Sequence, residues 1–380
     1  MHILEIPSFF TPYGGEFCLE QAKALQALGH EVRILSNVQL GITIGWKDFL
    51  VLPSSRFEDQ REGITIYQTY QRGWPRMIHH NAMRWVTIIK ALFHDYVKRY
   101  GKPDILHAHC AKWAGYAAML ISNKYGIPYV ITEHLPKLML EQEFGPAHSK
   151  AWQVPLLKAA YNQASMVVPV AQELIDETAC YFGKDYRWRH ISNTIDINFF
   201  HYQPRWPRQG RRFRFCCLAH YEYRKGYDVL LPAFEQLRKS GADVELHIAG
   251  RDTDSDQCKA LLGEGVITHG LLDRRAVREL LYQSDALVLA SRSEVQPLAI
   301  IEAMSTGIPV VATECTPQDL RIEQGCVIVP VDDTEALANA MQQLMMQNYD
   351  GKAISEAAQQ LASPTMIGQQ LEQLFNEIIA

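Results

Sequence analysis

The chain has 380 residues, 47% hydrophobic and 21% charged, which is enough apolar material for more than one core, so two domains are expected. Its net charge of −5 excludes a general nucleic-acid binder, which needs a broad cationic surface to displace counterions from phosphates. The 8 cysteines contain no C-x-x-C pair, so buried reduced thiols are expected rather than a zinc site or a disulfide framework.

The opening residues HILEI enter a strand directly, without the basic region, apolar stretch and small-residue cleavage site of a signal peptide, which predicts a cytoplasmic protein. No apolar run approaches the ~20 residues that cross a bilayer as a helix, so any membrane contact is expected to be peripheral, on the inner face. FCLEQAKALQALG has helical periodicity, Gly29 ends it, and HEVRILS is the next strand, completing a βαβ opening. Gly14 and Gly15 lie between that first strand and helix, where a backbone without side chains can approach a phosphate or a sugar. The doublet is not G-x-G-x-x-G, and a plain turn also accounts for it.

From Arg72 to Lys102 seven cations face a single acid, Asp95, and Trp85, Ile88, Ile89, Leu92, Phe93 and Tyr96 form a stripe at helical spacing. Two readings stand: a domain helix with a solvated basic face, or docking on an anionic membrane surface. The strands DILHAH, PYVITEH and MVVPVA follow, nearly continuous in apolar residues, as parallel strands covered on both faces are. His107 and His109 fall on one face of their strand. No third ligand has an identifiable spacing, so hydrogen bonding or packing is expected for His107, and no metal.

The Pro- and Arg-bearing segment 201–212 reads as a linker between a first domain, 1–200, and a second, 213–363, with a closing helix, 364–380, that crosses back to the first. The second domain alternates FRFCCLAHY, YDVLLPAFEQLRKSG, ADVELHIAG, GVITHG, RRAVRELLYQS, DALVLAS, IPVVAT and CVIVP. Open parallel sheets bind ligands beyond the carboxyl ends of their strands. After DALVLAS comes a turn with Glu294, then Pro297 as the expected first helical residue, Leu298 and Ala299 with unpaired amides, Glu302 within the helix, and Gly307 ending it. One acid can hold sugar hydroxyls and the other a ribose, with a phosphate between; a capping Glu294 and a solvated Glu302 is the plainer alternative. Lys225 and Gly226 stand between a strand and a helix, a position from which a lysine can reach a diphosphate. Asp252 and Asp254 form a D-x-D in a polar loop, expected to be solvated.

E-x7-E followed by AMSTGIPVVAT resembles the signature of retaining glycosyltransferases of family four, the group one transferases with the GT-B fold. The likeness covers nearly the whole chain and is strongest from Ala219 to Thr313. It implies an α/β architecture of two facing Rossmann-like, doubly wound domains with an interdomain cleft. It further implies a metal-independent hexosyltransferase without a cofactor, moving a sugar from a nucleotide diphosphate sugar to a glycan or lipid-linked acceptor in cell-surface polysaccharide or glycoconjugate synthesis. In that pattern Gly14 and Gly15 face the donor pyrophosphate, Lys225 and the amides of Leu298 and Ala299 hold the diphosphate, and Glu302 holds the ribose. Glu294 holds the sugar hydroxyls, and His134, which matches the histidine after the strand, lies beside the transferred sugar. His220 stands where the family has an arginine, and Arg224 is the nearest replacement for its charge. EVQP replaces the frequent EGFG, and ECTPQDLRIEQG replaces a stretch that usually contains Gly-Gly and a further Glu. Rival readings are a glycosidase, a nucleotide-sugar epimerase on the same fold, and a nucleotide-sugar-binding protein without turnover.

Overall fold

The structure, a computed structural model, describes residues 1–10, 15–42, 46–51, 57–144, 150–204 and 210–380. It divides into two compact units, Met1–Thr194 with Pro364–Ala380, and Ile195–Ser363.

The first unit runs β1 (His2–Pro7), α1 (Glu16–Ala27), β2 (Glu31–Gly41), α2 (Trp46–Val51), β3 (Phe57–Arg61), β4 (Ile64–Gly73), α3 (Ile78–Tyr100), β5 (Ile105–His109), α4 (Tyr116–Tyr125), β6 (Tyr129–Glu133), α5 (Lys137–Phe144), α6 (Val154–Gln163), β7 (Met166–Pro169) and α7 (Leu174–Phe182). Its sheet has the order β3-β4-β2-β1-β5-β6-β7, parallel throughout except for the antiparallel β3–β4 edge. Strand order reverses between β1 and β5, the point where open α/β sheets place ligands. Two apolar layers cover the sheet. One gathers α3, α4 and α6; the other gathers α1 and the closing helix Pro364–Ile379, whose Ile367, Leu371, Leu374 and Phe375 are buried.

The stripe on α3 belongs to this core. Trp85, Ile89, Leu92, Phe93 and Tyr96 are buried, and the Trp85 indole donates to the Asn37 carbonyl at 2.7 Å. Those side chains are spent on the sheet, as a domain helix with a solvated basic face would have them. Only the basic face of α3, with Arg84, Lys90 and Lys98, is exposed.

The second unit runs β8 (Phe213–Leu218), α8 (Tyr227–Lys239), β9 (Val244–Ala249), α9 (Asp256–Lys259), β10 (Val266–Thr268), α10 (Arg274–Gln283), β11 (Ala286–Leu289), α11 (Leu298–Ser305), β12 (Val310–Thr313), β13 (Cys326–Val329), α12 (Thr334–Met346) and α13 (Gly351–Ala362). Its sheet, β10-β9-β8-β11-β12-β13, reverses order between β8 and β11. All its pairings are parallel. The boundary differs from the expected 1–200. Ile195 and Phe200 are buried in the core of the second unit, and the Ile195 amide donates to the Ala362 carbonyl at 3.2 Å. Of the expected 201–212 linker, 205–209 lie outside the described residues, and the rest clusters with the second unit.

Candidate functional site

In the second unit the expected residues Arg224, Lys225 and Glu294 come together at the carboxyl ends of β8 and β11, the switch point of that sheet. The chain leaves β8 through a short helical turn, Tyr223–Lys225, and enters α8 at Gly226. Gly226 has φ +66°, and a Cβ there would fall 1.9 Å from the Ala290 carbonyl oxygen. Only glycine allows the start of α8 to lie against the end of β11, and this approach brings Lys225 to Glu294. Lys225 Nζ donates to Glu294 Oε1 at 2.5 Å, Ser291 Oγ donates to the same oxygen at 2.6 Å, and Arg224 Nη1 donates to Glu294 Oε2 at 3.3 Å.

Glu294 is 8% exposed, a buried carboxylate whose charge two cations balance. The turn is braced by Arg292, which sequence reading did not single out. Its guanidinium donates to both oxygens of Asp228 at 2.9 and 2.7 Å, to Asp332 at 2.7 Å and to the Tyr223 carbonyl at 2.6 Å. The hydrogen bond from Arg292, opposed by partial burial, holds the Asp228 carboxyl below its ordinary range.

Pro297 is the extended residue just before α11 rather than its first helical residue, and no side chain caps the helix. The Leu298 and Ala299 amides have no acceptor among the described residues, and the Ile300 amide bonds the Pro297 carbonyl at 3.0 Å. These two N–H groups and the positive end of the helix dipole make an anion-attracting start. Glu302 lies half-buried on the same helix. His220, at the end of β8, is exposed. Its Nδ1 accepts the Arg251 amide at 3.0 Å, so a neutral His220 carries its proton on Nε2. Partial desolvation of the ring, then the Arg251 charge, lower its pKa. His220 thus offers a neutral donor where the resemblance would have a permanently charged arginine. Asp252 and Asp254 are exposed in the loop after β9, as read.

In the first unit the expected residues are Gly15 and His134; Gly14 lies outside the described residues. Gly15 has φ +89°, and a Cβ there would stand 2.5 Å from the Phe9 carbonyl oxygen, so a bare backbone is required at the start of α1. His134 follows β6. The buried Glu133 organises its loop by accepting the amides of His134 and Leu135 at 2.8 and 2.9 Å on one oxygen. The other oxygen accepts the Ala111 amide at 3.0 Å and the Tyr161 hydroxyl at 2.7 Å. Phe17 of α1 stacks on the His134 ring, with centroids 3.9 Å apart at 27°.

His107 and His109 have a third group beside them after all, which corrects the expectation of none. Glu5 on β1 is the register partner of His107 on β5. Glu5, His107 and His109 are 0%, 0% and 1% exposed, with ligand-capable atoms within 4.8 Å of one another. His107 Nδ1 lies 2.9 Å from Glu5 Oε2, and His109 Nε2 lies 2.7 Å from the same oxygen. His107 Nε2 meets the Thr132 hydroxyl at 2.6 Å. Burial would raise the Glu5 carboxyl, but the His107 charge and the hydrogen bonds from His107 and His109 outweigh it and hold it at about 2. Burial, with His107 beside it, lowers the pKa of His109; burial, then His109 and His107, take His134 well below its ordinary value. The signal for Glu5 was present in HILEI: an ionisable residue inside an otherwise apolar strand needs a buried partner.

Known proteins share the sequence families and the fold of this chain. Residues 14–199 match Glycosyltransferase Family 4, and residues 212–347 match Glycosyl transferases group 1. The chain is 28% identical over 328 residues to the putative teichuronic acid biosynthesis glycosyltransferase TuaC of Bacillus subtilis, covering 81% of this chain and 78% of that protein. The sucrose-phosphate synthase of Thermosynechococcus elongatus has the same fold, with a TM-score of 0.79 at 19% identity over 100% of this chain and 99% of the other. HepE of Anabaena, solved with UDP and glucose, superposes with a TM-score of 0.73 at 18% identity over 99% of this chain and all (100%) of the other. With two Rossmann-like parallel sheets and a match in each half, the chain belongs to the GT-B glycosyltransferases of the family 4 and group 1 type.

Proposed function

We propose that the enzyme transfers a sugar from a nucleotide diphosphate sugar to a glycan or lipid-linked acceptor, with retention at the anomeric carbon and without a metal, in the synthesis of a cell-surface polysaccharide or glycoconjugate. The observation that carries the reading is the convergence of Lys225, Arg224 and Glu294 at the switch point of the second sheet, beside the uncapped start of α11. UDP and glucose in HepE support a nucleotide-sugar donor, and the teichuronic acid relative supports a polysaccharide product.

Lys225 is paired with Glu294. An incoming diphosphate competes with that carboxylate for the ammonium, and the same exchange frees Glu294 oxygens to accept sugar hydroxyls. The diphosphate adds negative charge beside a carboxylate that stays, so the Arg224 guanidinium and the helix-start amides share with Lys225 in balancing it. In the second unit Glu302 receives the ribose and the amides of Leu298 and Ala299 the diphosphate; in the first unit Gly15 leaves bare backbone open to a phosphate, and His134 meets the edge of a sugar. As the bond to the anomeric carbon breaks, negative charge grows on the diphosphate and positive charge on the sugar. The site's task is to stabilise that separating pair. The acceptor attacks from the face the phosphate leaves, and a phosphate oxygen takes its proton.

Incubation with a panel of nucleotide sugars, with and without acceptors and with chelator present, tests the reading. The expected result is acceptor-dependent release of nucleoside diphosphate and a product with the donor's anomeric configuration. Isomerised donor without acceptor would establish the epimerase instead, and binding without release on any acceptor the non-catalytic protein. The basic face of α3 is proposed to meet anionic lipid by electrostatics alone, worth about 1 kcal/mol per cation near the surface. No sedimentation with anionic vesicles at low salt, where attraction is strongest, would remove that part.

A further inference from the structure

The Glu5–His107–His109 cluster has no part in the donor chemistry above, yet it ends at His134. His109 presents Nε2 to the Glu5 carboxylate at 2.7 Å and Nδ1 to His134 Nε2 at 3.5 Å, the outer limit of a hydrogen bond. Phe17 stacks on His134 and makes a second, tilted contact with His109, with centroids 5.6 Å apart, so one ring packs against both imidazoles.

Proton positions follow from what each atom can do. An ionised carboxylate only accepts, so both ring nitrogens facing Glu5 carry protons: Nδ1 of His107 and Nε2 of His109. A neutral His107 then has its lone pair on Nε2, which suits the Thr132 hydroxyl donating to it at 2.6 Å. A neutral His109 has its lone pair on Nδ1, so the proton between His109 and His134 belongs to His134 Nε2. His134 is left with a lone pair on Nδ1. Were His109 cationic, its Nδ1–H would take the opposite role, and a neutral His134 would carry its proton on Nδ1 and accept nothing there.

We propose that Glu5 and His109 are positioning residues that hold His134 as its neutral Nε2–H tautomer, so that Nδ1 accepts a hydroxyl of a sugar. The inference rests on the reading of His134 as a sugar-facing group. An orienting carboxylate behind a histidine fixes its tautomer and ring orientation, and loss of that orientation costs rate although no reacting atom is touched. A cluster serving stability alone would leave the protonation pattern of His134 indifferent to Glu5.

The test is the imidazole nitrogen–proton correlation spectrum of the full chain labelled with 15N-histidine, with His134 assigned from a His134→Gln variant. The wild type is expected to show His134 neutral and protonated on Nε2 at neutral pH. A wild-type His134 protonated on Nδ1, or on both nitrogens, would overturn the proposal without any further variant. In Glu5→Gln, and separately in His109→Gln, the His134 pattern is expected to move toward mixed tautomers. An unchanged pattern in both folded variants would also overturn it. So would a stoichiometric transition metal in the purified protein that is lost in Glu5→Gln, since a metal would replace these hydrogen bonds.

Transfer kinetics supply a second readout. Glu5→Gln is expected to lower kcat by about 10- to 100-fold with KM for the donor nearly unchanged, and to have no further effect in a His134→Ala background. Losses that multiply in the double variant would show that Glu5 does not act through His134. If no transfer occurs with any donor, the reading of function fails while the spectra still decide the tautomer.

Discussion

Each sheet places one cluster of titratable side chains at the same topological point, between the two strands where order reverses: β1 and β5 in the first unit, β8 and β11 in the second. What they build there differs. The first unit buries one carboxylate among imidazoles, within the strands themselves, out of reach of water. The second places Lys225 and Arg224 on the turn after its strand, where they hold Glu294 and remain partly exposed. Parallel strands leave their carboxyl ends open to whatever the following turn carries. A side chain inside the strand is locked by packing and suits orientation, whereas one on the turn can trade partners and suits binding. One fold thus holds a packed carboxylate–imidazole cluster in one unit and a partly exposed ion-pair cluster on a turn in the other.

The largest effect that would sharpen this contrast is expected from Lys225→Ala. If its ammonium meets the charge growing on the diphosphate, turnover falls about 10²- to 10³-fold, or about 3–4 kcal/mol of transition-state stabilisation. Circular dichroism should show the fold retained, because Ser291 and Arg224 still serve Glu294. Wild-type rates in the folded variant would break the assignment.

Gly226→Ala should come next. The left-handed backbone costs about 1–2 kcal/mol for any L-residue, and the methyl group would meet the Ala290 carbonyl as well. The expected outcome is a lower urea midpoint together with weaker donor binding, measured by thermal shift. Unchanged donor affinity would mean that the approach of α8 to β11 does not set the anion site.

Glu5→Ala tests the first unit. Two ring N–H groups lose their acceptor, at about 1–3 kcal/mol for each donor left unsatisfied, without direct loss of a cation for the donor. A fall in stability on the scale of one surface residue would contradict the burial argument.

Acidification gives a smaller, graded effect of known sign. His109 and His134 have pKa values below their ordinary 6.5. The unfolded chain therefore takes up protons first, and their contribution, complete above about 6.5, declines as pH falls below that value. Glu5 adds to the same trend lower down: its contribution is present above its ordinary 4.5 and is lost as pH falls toward about 2. Urea midpoints at pH 7.5, 6 and 5 should fall in that order, and the slope should lessen in His109→Gln/His134→Gln. A slope unchanged by the pair would place the acid sensitivity elsewhere. The smallest effect is expected from Asp252→Asn/Asp254→Asn, both exposed: transfer rates within experimental error of wild type, with or without chelator. A large loss would revive a metal role for D-x-D.

The six strands of the second unit correspond to FRFCC, VELHIA, VIT, ALVL, VVAT and CVIV, all apolar runs set off by turn residues. β3 of the first unit was not singled out, because FEDQR carries almost no apolar residue, and an edge strand covered on one side has little hydrophobic pattern to display. The α3 stripe was legible as amphipathic, but its destination was not, since an apolar helical face reads the same whether sheet or lipid will cover it.

By itself, the sequence determined the local content: which segments alternate as strand and helix, where Gly226 and Gly307 break the chain, and which residue types stand just beyond the strands. These depend on neighbours a few positions apart, through periodicity and backbone sterics. Only the tertiary structure decided partnership. Glu5 meets His107 across 102 positions, and Lys225 meets Glu294 across 69. The register of adjacent strands and the close approach of one helix decide those pairs, and each is a long-range packing outcome that no spacing in the chain encodes.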